Sequence, residues 1–193
     1  FKRAPLPQSE KRDQAILGNS AAPSNNHIEA LERLQSVAYA GRVVCPLSYG
    51  DDVYKQAIQE AGAQRMADRF QSIDAYLPLA DYNRLIAESA AIILNHYRQQ
   101  ALGNIITALW YGTRVYLSKR SPALTHFLGL GCSVYSIEDD LNTPADLQPE
   151  TEEQVQENRE RLRKHYARAV FVDSIRSHFG TDGDAATPTP PPS

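Results

Sequence analysis

From Ala15 to Ile137, six short apolar runs alternate with segments that carry apolar residues at helical spacing. The runs are AILG from Ala15, RVVCPLS from Arg42, IDAYLP from Ile73, AAIILNH from Ala90, TRVYLS from Thr113 and CSVYSI from Cys132. A strand with one wet face alternates apolar and polar residues. Runs that are apolar at nearly every position suit strands covered on both faces, as in a parallel sheet. Between them, Ile28, Leu31, Leu34 and Val37 form one helical stripe, and Val53, Ala57, Ile58 and Ala61 a second. Leu85 and Ile86 mark a third helix; Ile105, Ile106, Leu109 and Trp110 mark a fourth. A fifth, SPALTHFLGLG, starts with Ser121 as candidate N-cap and Pro122 at the first helical position, and ends in glycines. Strand followed by helix, repeated, predicts an α/β fold: a doubly wound, Rossmann-like parallel sheet with right-handed crossovers.

The pattern changes on either side of this unit. Residues 1–13 are polar and contain proline, and read as a linker within a longer protein. Residues 14–140 carry the sheet pattern, and 141–179 predict a C-terminal helical extension. That extension opens on TEEQ at Thr151–Gln154, a capping box in which the Thr oxygen and the Gln side chain satisfy free amides. Val155, Leu162, Tyr166, Ala169 and Val170 give its apolar stripe; the basic stretch RERLRKHYAR reads as the solvated face of a helix packed on this domain or a neighbour, with contact to an anionic membrane as the alternative. Residues 180–193 end in TPTPPPS, a composition that predicts a disordered tail.

Charge and composition exclude several classes of function. With 22 % charged residues and a net charge of −3, no global basic field draws the chain to nucleic acid. Both cysteines, Cys45 and Cys132, lie in apolar runs and read as buried thiols. There is no CxxC, no HExxH and no His/Cys cluster, so no metal is expected. No apolar run approaches the roughly 20 residues of a membrane span, and no signal peptide is visible.

In a doubly wound sheet, ligands sit beyond the carboxyl ends of the strands, where the strand order reverses. The loop after the first run, GNSAAPSNNH, is long and rich in small and turn-forming residues. The loop after the fourth run is NHYRQQALGN: Arg98, Gln99 and Gln100 stand just before the helix that Gly103 and Asn104 open. A helix N-terminus offers free amides and a positive dipole end, which suits a phosphate. The alternative is that Gly103 only eases a tight turn and Arg98 is solvated. The GxGxxG of a dinucleotide site, the GK[ST] of a P-loop and the paired acids of a phosphoacceptor site are all absent. His27, His96 and His126 have no evident nucleophile or carboxylate partner, and a structural or surface place is expected for each.

Three segments in order, ILGNSAAPSNNHIEAL, RVVCPLSYG and RQQALGNIITALWYGTRVYLSKRSP, resemble the C-terminal half of the TDP-N-acetylfucosamine:lipid II N-acetylfucosaminyltransferases, a 4-alpha-L-fucosyltransferase-like family of bacterial glycosyltransferases that acts in enterobacterial common antigen assembly. The resemblance runs from about Gln14 to Asp140. It implies the donor-binding half of a two-domain GT-B enzyme. That enzyme would transfer a deoxyamino sugar from a dTDP-sugar to a polyprenyl-diphosphate-linked saccharide. It implies, by position, that Asn19 and Ser20 face the diphosphate, that Tyr49 lies near the nucleoside, and that Arg98, Gln99, Gln100, Gly103 and Asn104 surround sugar and phosphate. It implies no metal and no other cofactor, an acceptor held by a domain absent from this chain, and a cytoplasmic, peripherally membrane-associated full-length protein. The catalytic residue is not implied, and this chain alone is expected to be inactive. A non-catalytic nucleotide or sugar-phosphate binding module on the same fold stays open beside this reading.

Overall fold

The computed structural model describes residues 12–166. Six parallel strands form one sheet: β1 (Arg12–Leu17), β2 (Arg42–Pro46), β3 (Phe70–Ile73), β4 (Ser89–Leu94), β5 (Arg114–Leu117) and β6 (Tyr135–Ser136), in the order β3-β2-β1-β4-β5-β6. The expected Rossmann-like doubly wound sheet is present. Both faces are covered, and the strands alternate between two cores accordingly. In β4, Ala91 and Ile93 point to one core while Ile92 and Leu94 point to the other. Helices α1 (His27–Ser36) and α2 (Asp52–Met66) cover the first face, with Leu31, Leu34, Ile58 and Met66 buried beneath them. Helices α3 (Leu79–Glu88), α4 (Leu102–Tyr111) and α5 (Pro122–Gly129) cover the second, through Ile86, Ile105, Leu109 and Phe127. The short helix α6 (Ile137–Asp140) returns the chain to the first face, where Ile137 is buried.

The last described helix, α7 (Glu152–Tyr166), packs on α4. Its capping box forms as the sequence predicts: the Thr151 amide donates to Gln154 Oε1 at 2.9 Å, and the Gln154 amide to Thr151 Oγ1 at 3.3 Å. Leu162 is buried, and Val155 fills the space over Gly112. The basic stretch is not wholly solvated. Arg159 is buried and donates from Nε to the Trp110 carbonyl at 2.8 Å, and the Arg163 guanidinium lies 5.2 Å from the Trp110 ring centre. Long basic side chains cover apolar surface with their stems, which is why charge alone misplaced them.

Other expectations are corrected. The first strand starts at Arg12, inside the stretch read as linker. The third strand is Phe70–Ile73, so the run IDAYLP supplies only Ile73 to it and otherwise forms the loop beyond it. Val53 is 77 % exposed and is no part of the α2 stripe. Ser121 occupies the N-cap of α5, yet its side chain makes no capping hydrogen bond. The residues called a disordered tail, and the extension beyond Tyr166, lie outside the described residues. No helix among those residues is long and apolar enough to cross a membrane.

Candidate functional site

The strand order reverses between β1 and β4. The loops leaving these two strands therefore diverge and leave a crevice at the carboxyl edge. Three tethers hold the β1 loop there. Asn25 is fully buried; its side chain accepts from the Asn19 amide at 3.3 Å and donates to Ser20 and Ala22. Asn26 and Asn95 exchange side-chain to backbone bonds at 2.7 and 3.2 Å, tying the loop to the end of β4. A parallel bridge between Ala21 and Gly50 ties it to the loop after β2. Gly50 has φ +126, and a Cβ there would stand 2.5 Å from the Ala21 backbone, so only glycine allows that approach.

Across the crevice, the turn after β4 carries the expected cluster. Gln100 donates from Nε2 to Asn19 Oδ1 at 3.0 Å. The Arg98 guanidinium donates to Ser24 Oγ at 3.2 Å and to Gln100 Oε1 at 3.3 Å, and the residue is otherwise exposed. Ala101, the N-cap of α4, has φ +58 and offers no side-chain cap. A left-handed alanine costs about 1–2 kcal/mol, and such strain collects at ligand turns. A Cβ placed on Gly103 would meet nothing within 4 Å, so the approach to the start of α4 is open.

Asn104 faces the other way along the edge and donates to the Tyr82 hydroxyl at 3.1 Å. Together with Asn19 and Tyr49 it lines a cleft of about 200 Å³, walled by Ile73, Tyr76, Leu77 and Tyr82. Tyr49 is 60 % exposed and Tyr76 79 %. Large rings left open to solvent beside a concavity suit a flat ligand face.

The structure thus brings Asn19, Arg98, Gln100 and Ser24 together on one side of the turn, and Asn19, Asn104 and Tyr49 around one cleft. Gln99 is exposed at the outer side of the turn. Ser20 departs from expectation. It is buried, and its hydroxyl accepts from Asn25 at 3.2 Å, so it builds the loop and does not face the crevice. Ser24, Tyr76 and Tyr82 were not singled out from sequence; the tyrosines lie in or just after the run read as a strand.

His27 and His96 are fully buried at the crevice floor, and none of their ring nitrogens has a protein hydrogen-bond partner. Burial, then the neighbouring His96, lowers His27 to about 4; burial, then Arg98, lowers His96 to about 4. Both are neutral imidazoles at pH 7, packed rather than presented to a ligand. His27 abuts Gly18, whose φ is +70 and whose absent Cβ would lie 2.2 Å from the ring. Among the described residues, no group of three or more His, Cys, Asp or Glu side chains could hold a metal ion.

A parallel α/β sheet with a built crevice at its strand reversal and a helix N-terminus opening into it defines a Rossmann-like ligand-binding domain. The chain belongs to the 4-alpha-L-fucosyltransferase family, glycosyl transferase group 56, whose model matches residues 2–167. Among solved structures, it is similar to AviGT4, a glycosyltransferase involved in avilamycin A biosynthesis, with TM-score 0.63 and 14 % identity over 91 % of this chain and 56 % of that one. It is also similar to TarM, with TM-score 0.65 and 12 % identity over 94 % and 38 %. The Burkholderia xenovorans alpha,alpha-trehalose-phosphate synthase (UDP-forming), solved with glucose-6-phosphate, gives 0.66 and 10 % over 90 % and 44 %. At these identities the likeness is one of fold. The chain spans between 38 % and 56 % of the length of these three structures.

Proposed function

We propose that this chain is the donor-binding half of a GT-B glycosyltransferase, and that it holds the diphosphate of a nucleotide-sugar between the β1 loop and the start of α4. The observation that carries this is the junction of Asn19, Ser24, Arg98 and Gln100 beside an uncapped helix N-terminus. An exposed guanidinium, three neutral polar side chains and helix amides converge where a diphosphate would bridge the crevice. A diphosphate oxygen accepts from a guanidinium and from backbone amides, and the α4 dipole favours the negative charge. The tyrosine-lined cleft beside Asn19 and Asn104 takes the nucleoside, with Tyr49 or Tyr76 against the base.

In this reading the bond broken is that between the sugar anomeric carbon and the diphosphate oxygen. The protein's contribution is to stabilise charge gathering on the leaving diphosphate, by Arg98 and the α4 amides, without a divalent metal. Family membership supports sugar transfer. The finer proposal is a deoxyamino sugar of N-acetylfucosamine type, donated from dTDP to a polyprenyl-diphosphate-linked saccharide in cell-surface polysaccharide synthesis. The acceptor would be held by a further domain, with the full-length protein at the cytoplasmic face of the membrane. His27 and His96 are fully buried, so neither is presented to the acceptor as a catalytic base.

Calorimetric titration of the chain with dTDP and UDP, with and without EDTA, tests the proposal. Binding of dTDP unchanged by EDTA is expected. Absence of binding, or binding only with magnesium, refutes it.

A further inference from the structure

We propose that Glu29 is the proton acceptor of the transfer reaction, held for that task by Asn95 and Tyr97 at the carboxyl edge of the sheet. This rests on the donor reading above and adds the group that acts on the acceptor hydroxyl. Glu29 stands in the first turn of α1 and is exposed. Its Oε2 accepts from Asn95 Nδ2 at 3.1 Å and from the Tyr97 hydroxyl at 2.7 Å. Asn95 is only 3 % exposed and is itself fixed by its two bonds with Asn26. The Arg120 guanidinium lies 3.9 Å from the Tyr97 ring centre, a cation–π contact that steadies the ring. Two neutral donors thus orient the carboxylate through one oxygen, and Oε1 takes part in neither bond.

Position and elimination both point to proton transfer. Tyr97 and Arg98 are consecutive in the turn after β4. Tyr97 reaches Glu29 on α1, and Arg98 reaches Ser24 in the loop that leads into α1. A diphosphate held at Arg98 therefore lies on the same stretch of edge as the Glu29 carboxylate. Glu29 also lines a groove of about 380 Å³ with Asn95 and Ile137, within the range of small-molecule sites, so an acceptor sugar has room beside it. The other carboxylates nearby have structural tasks. Asp51 caps α2 by accepting from the Tyr54 amide. Glu138 accepts from Ser118 Oγ at 2.8 Å, the Lys119 amide at 2.9 Å and Ser136 Oγ at 3.1 Å, which engages both its oxygens. Asp139 pairs with Lys119.

In the step, the acceptor hydroxyl oxygen bonds to the anomeric carbon as the bond from that carbon to the diphosphate oxygen breaks. The electron pair of the broken bond leaves with the nucleoside diphosphate. The hydroxyl proton passes to Glu29 Oε1, and from there to water. Glu29 touches the reacting hydroxyl, whereas Asn95 and Tyr97 are positioning residues.

The test uses the full-length protein, with dTDP-4-acetamido-4,6-dideoxygalactose as donor and a polyprenyl-diphosphate-linked saccharide as acceptor, and follows release of dTDP. Glu29→Gln keeps an oxygen that accepts from Asn95 and Tyr97 but cannot take the proton. It is expected to lower kcat by about 10²–10⁴-fold, the usual share of a general base, with donor KM and dTDP affinity unchanged. Tyr97→Phe keeps the ring under Arg120 and loses only the bond to Glu29, and is expected to lower kcat by less than about tenfold, the scale of one neutral hydrogen bond. Glu29→Asp should recover part of the rate. Turnover by Glu29→Gln at the wild-type kcat overturns the inference and leaves the donor reading standing. So does an equal loss in Tyr97→Phe and Glu29→Gln, because Glu29 would then only anchor the turn. A wild type that binds dTDP and releases none from the donor also overturns it. If dTDP fails to bind the wild type, both readings fall.

Discussion

Gln100 donates its side-chain amide to the side-chain oxygen of Asn19 across 3.0 Å, joining the loop after β1 to the turn after β4. Asn19 lines the tyrosine cleft and Gln100 a groove on the other side of the turn, so this bond joins the walls of two concavities. Gln100→Ala removes it and the acceptor for Arg98 together. The expected outcome is weaker dTDP binding with a loss of stability of about 1–2 kcal/mol, because the bonds to Asn19, Arg98 and Ser24 that go with it are only partly buried. Paired calorimetry and urea unfolding read the two effects separately.

Arg98 brings a positive charge to the junction, where its guanidinium donates to Ser24 Oγ and Gln100 Oε1. Arg98→Ala is expected to weaken dTDP by about 1.5–3 kcal/mol, the scale of a charge-assisted hydrogen bond, and to leave the melting temperature nearly unchanged. Arg98→Lys keeps the charge but loses the planar fork, and should recover only part of the affinity. Equal dTDP affinity in wild type and Arg98→Ala would remove Arg98 from the site.

Two glycines at the crevice respond in opposite ways. Gly18 has φ +70 and no room beside His27, so Gly18→Ala is expected to destabilise the fold by roughly 1–3 kcal/mol. Gly103 is open, so Gly103→Val should leave stability within about 1 kcal/mol while blocking approach of a diphosphate to the α4 amides. Thermal melts with and without dTDP distinguish the pair: the first variant melts early, the second loses the ligand-induced rise.

Stability is expected to fall on mild acidification because of His27 and His96. Each binds a proton less readily in the folded chain, at about 4, than at the ordinary 6.5. The unfolded chain therefore takes up protons first, and the stability these groups contribute is present above about pH 6.5 and lost as pH falls toward 4. For one such histidine the change between pH 7 and 5 is about 2 kcal/mol. Urea unfolding at the two pH values measures it, and His96→Asn should reduce the slope.

The α7 helix is an integral cover of the second face. Leu162→Ala is expected to cost about 2–5 kcal/mol, as for a fully buried leucine, whereas Glu160→Ala on the exposed side should stay within about 0.5 kcal/mol. Denaturant titration of both variants checks the contrast.

The sheet was legible wherever burial on both faces left an unbroken apolar run, as in Val43–Cys45 and Ala90–Leu94. It was not legible at β3. There, Gln71 and Ser72 stand at the sheet edge, exposed or half-buried, and the more apolar run that follows is apolar because it walls a cleft. The cluster of Arg98, Gln100 and Asn19 followed from its place after strands and before a helix. The burial of Ser20 did not, because it depends on Asn25 folding back under its own loop. Tyr82 was hidden for a related reason: it stands in the first turn of α3, and only the packing of that helix on α4 brings it to Asn104.

The partners in that first bond are 81 residues apart in sequence, and β1 lies between β2 and β4. During folding, β1 and β2 can pair early through a short local connection. The other edge of β1 must then wait, unpaired, until two more helices and a strand have been added. Such distant closures are slow, and they leave an adhesive edge exposed meanwhile. Refolding should therefore recover helical signal before it recovers the crevice. The appearance of a nucleotide-competent edge would mark the moment when the two halves of the sheet have joined.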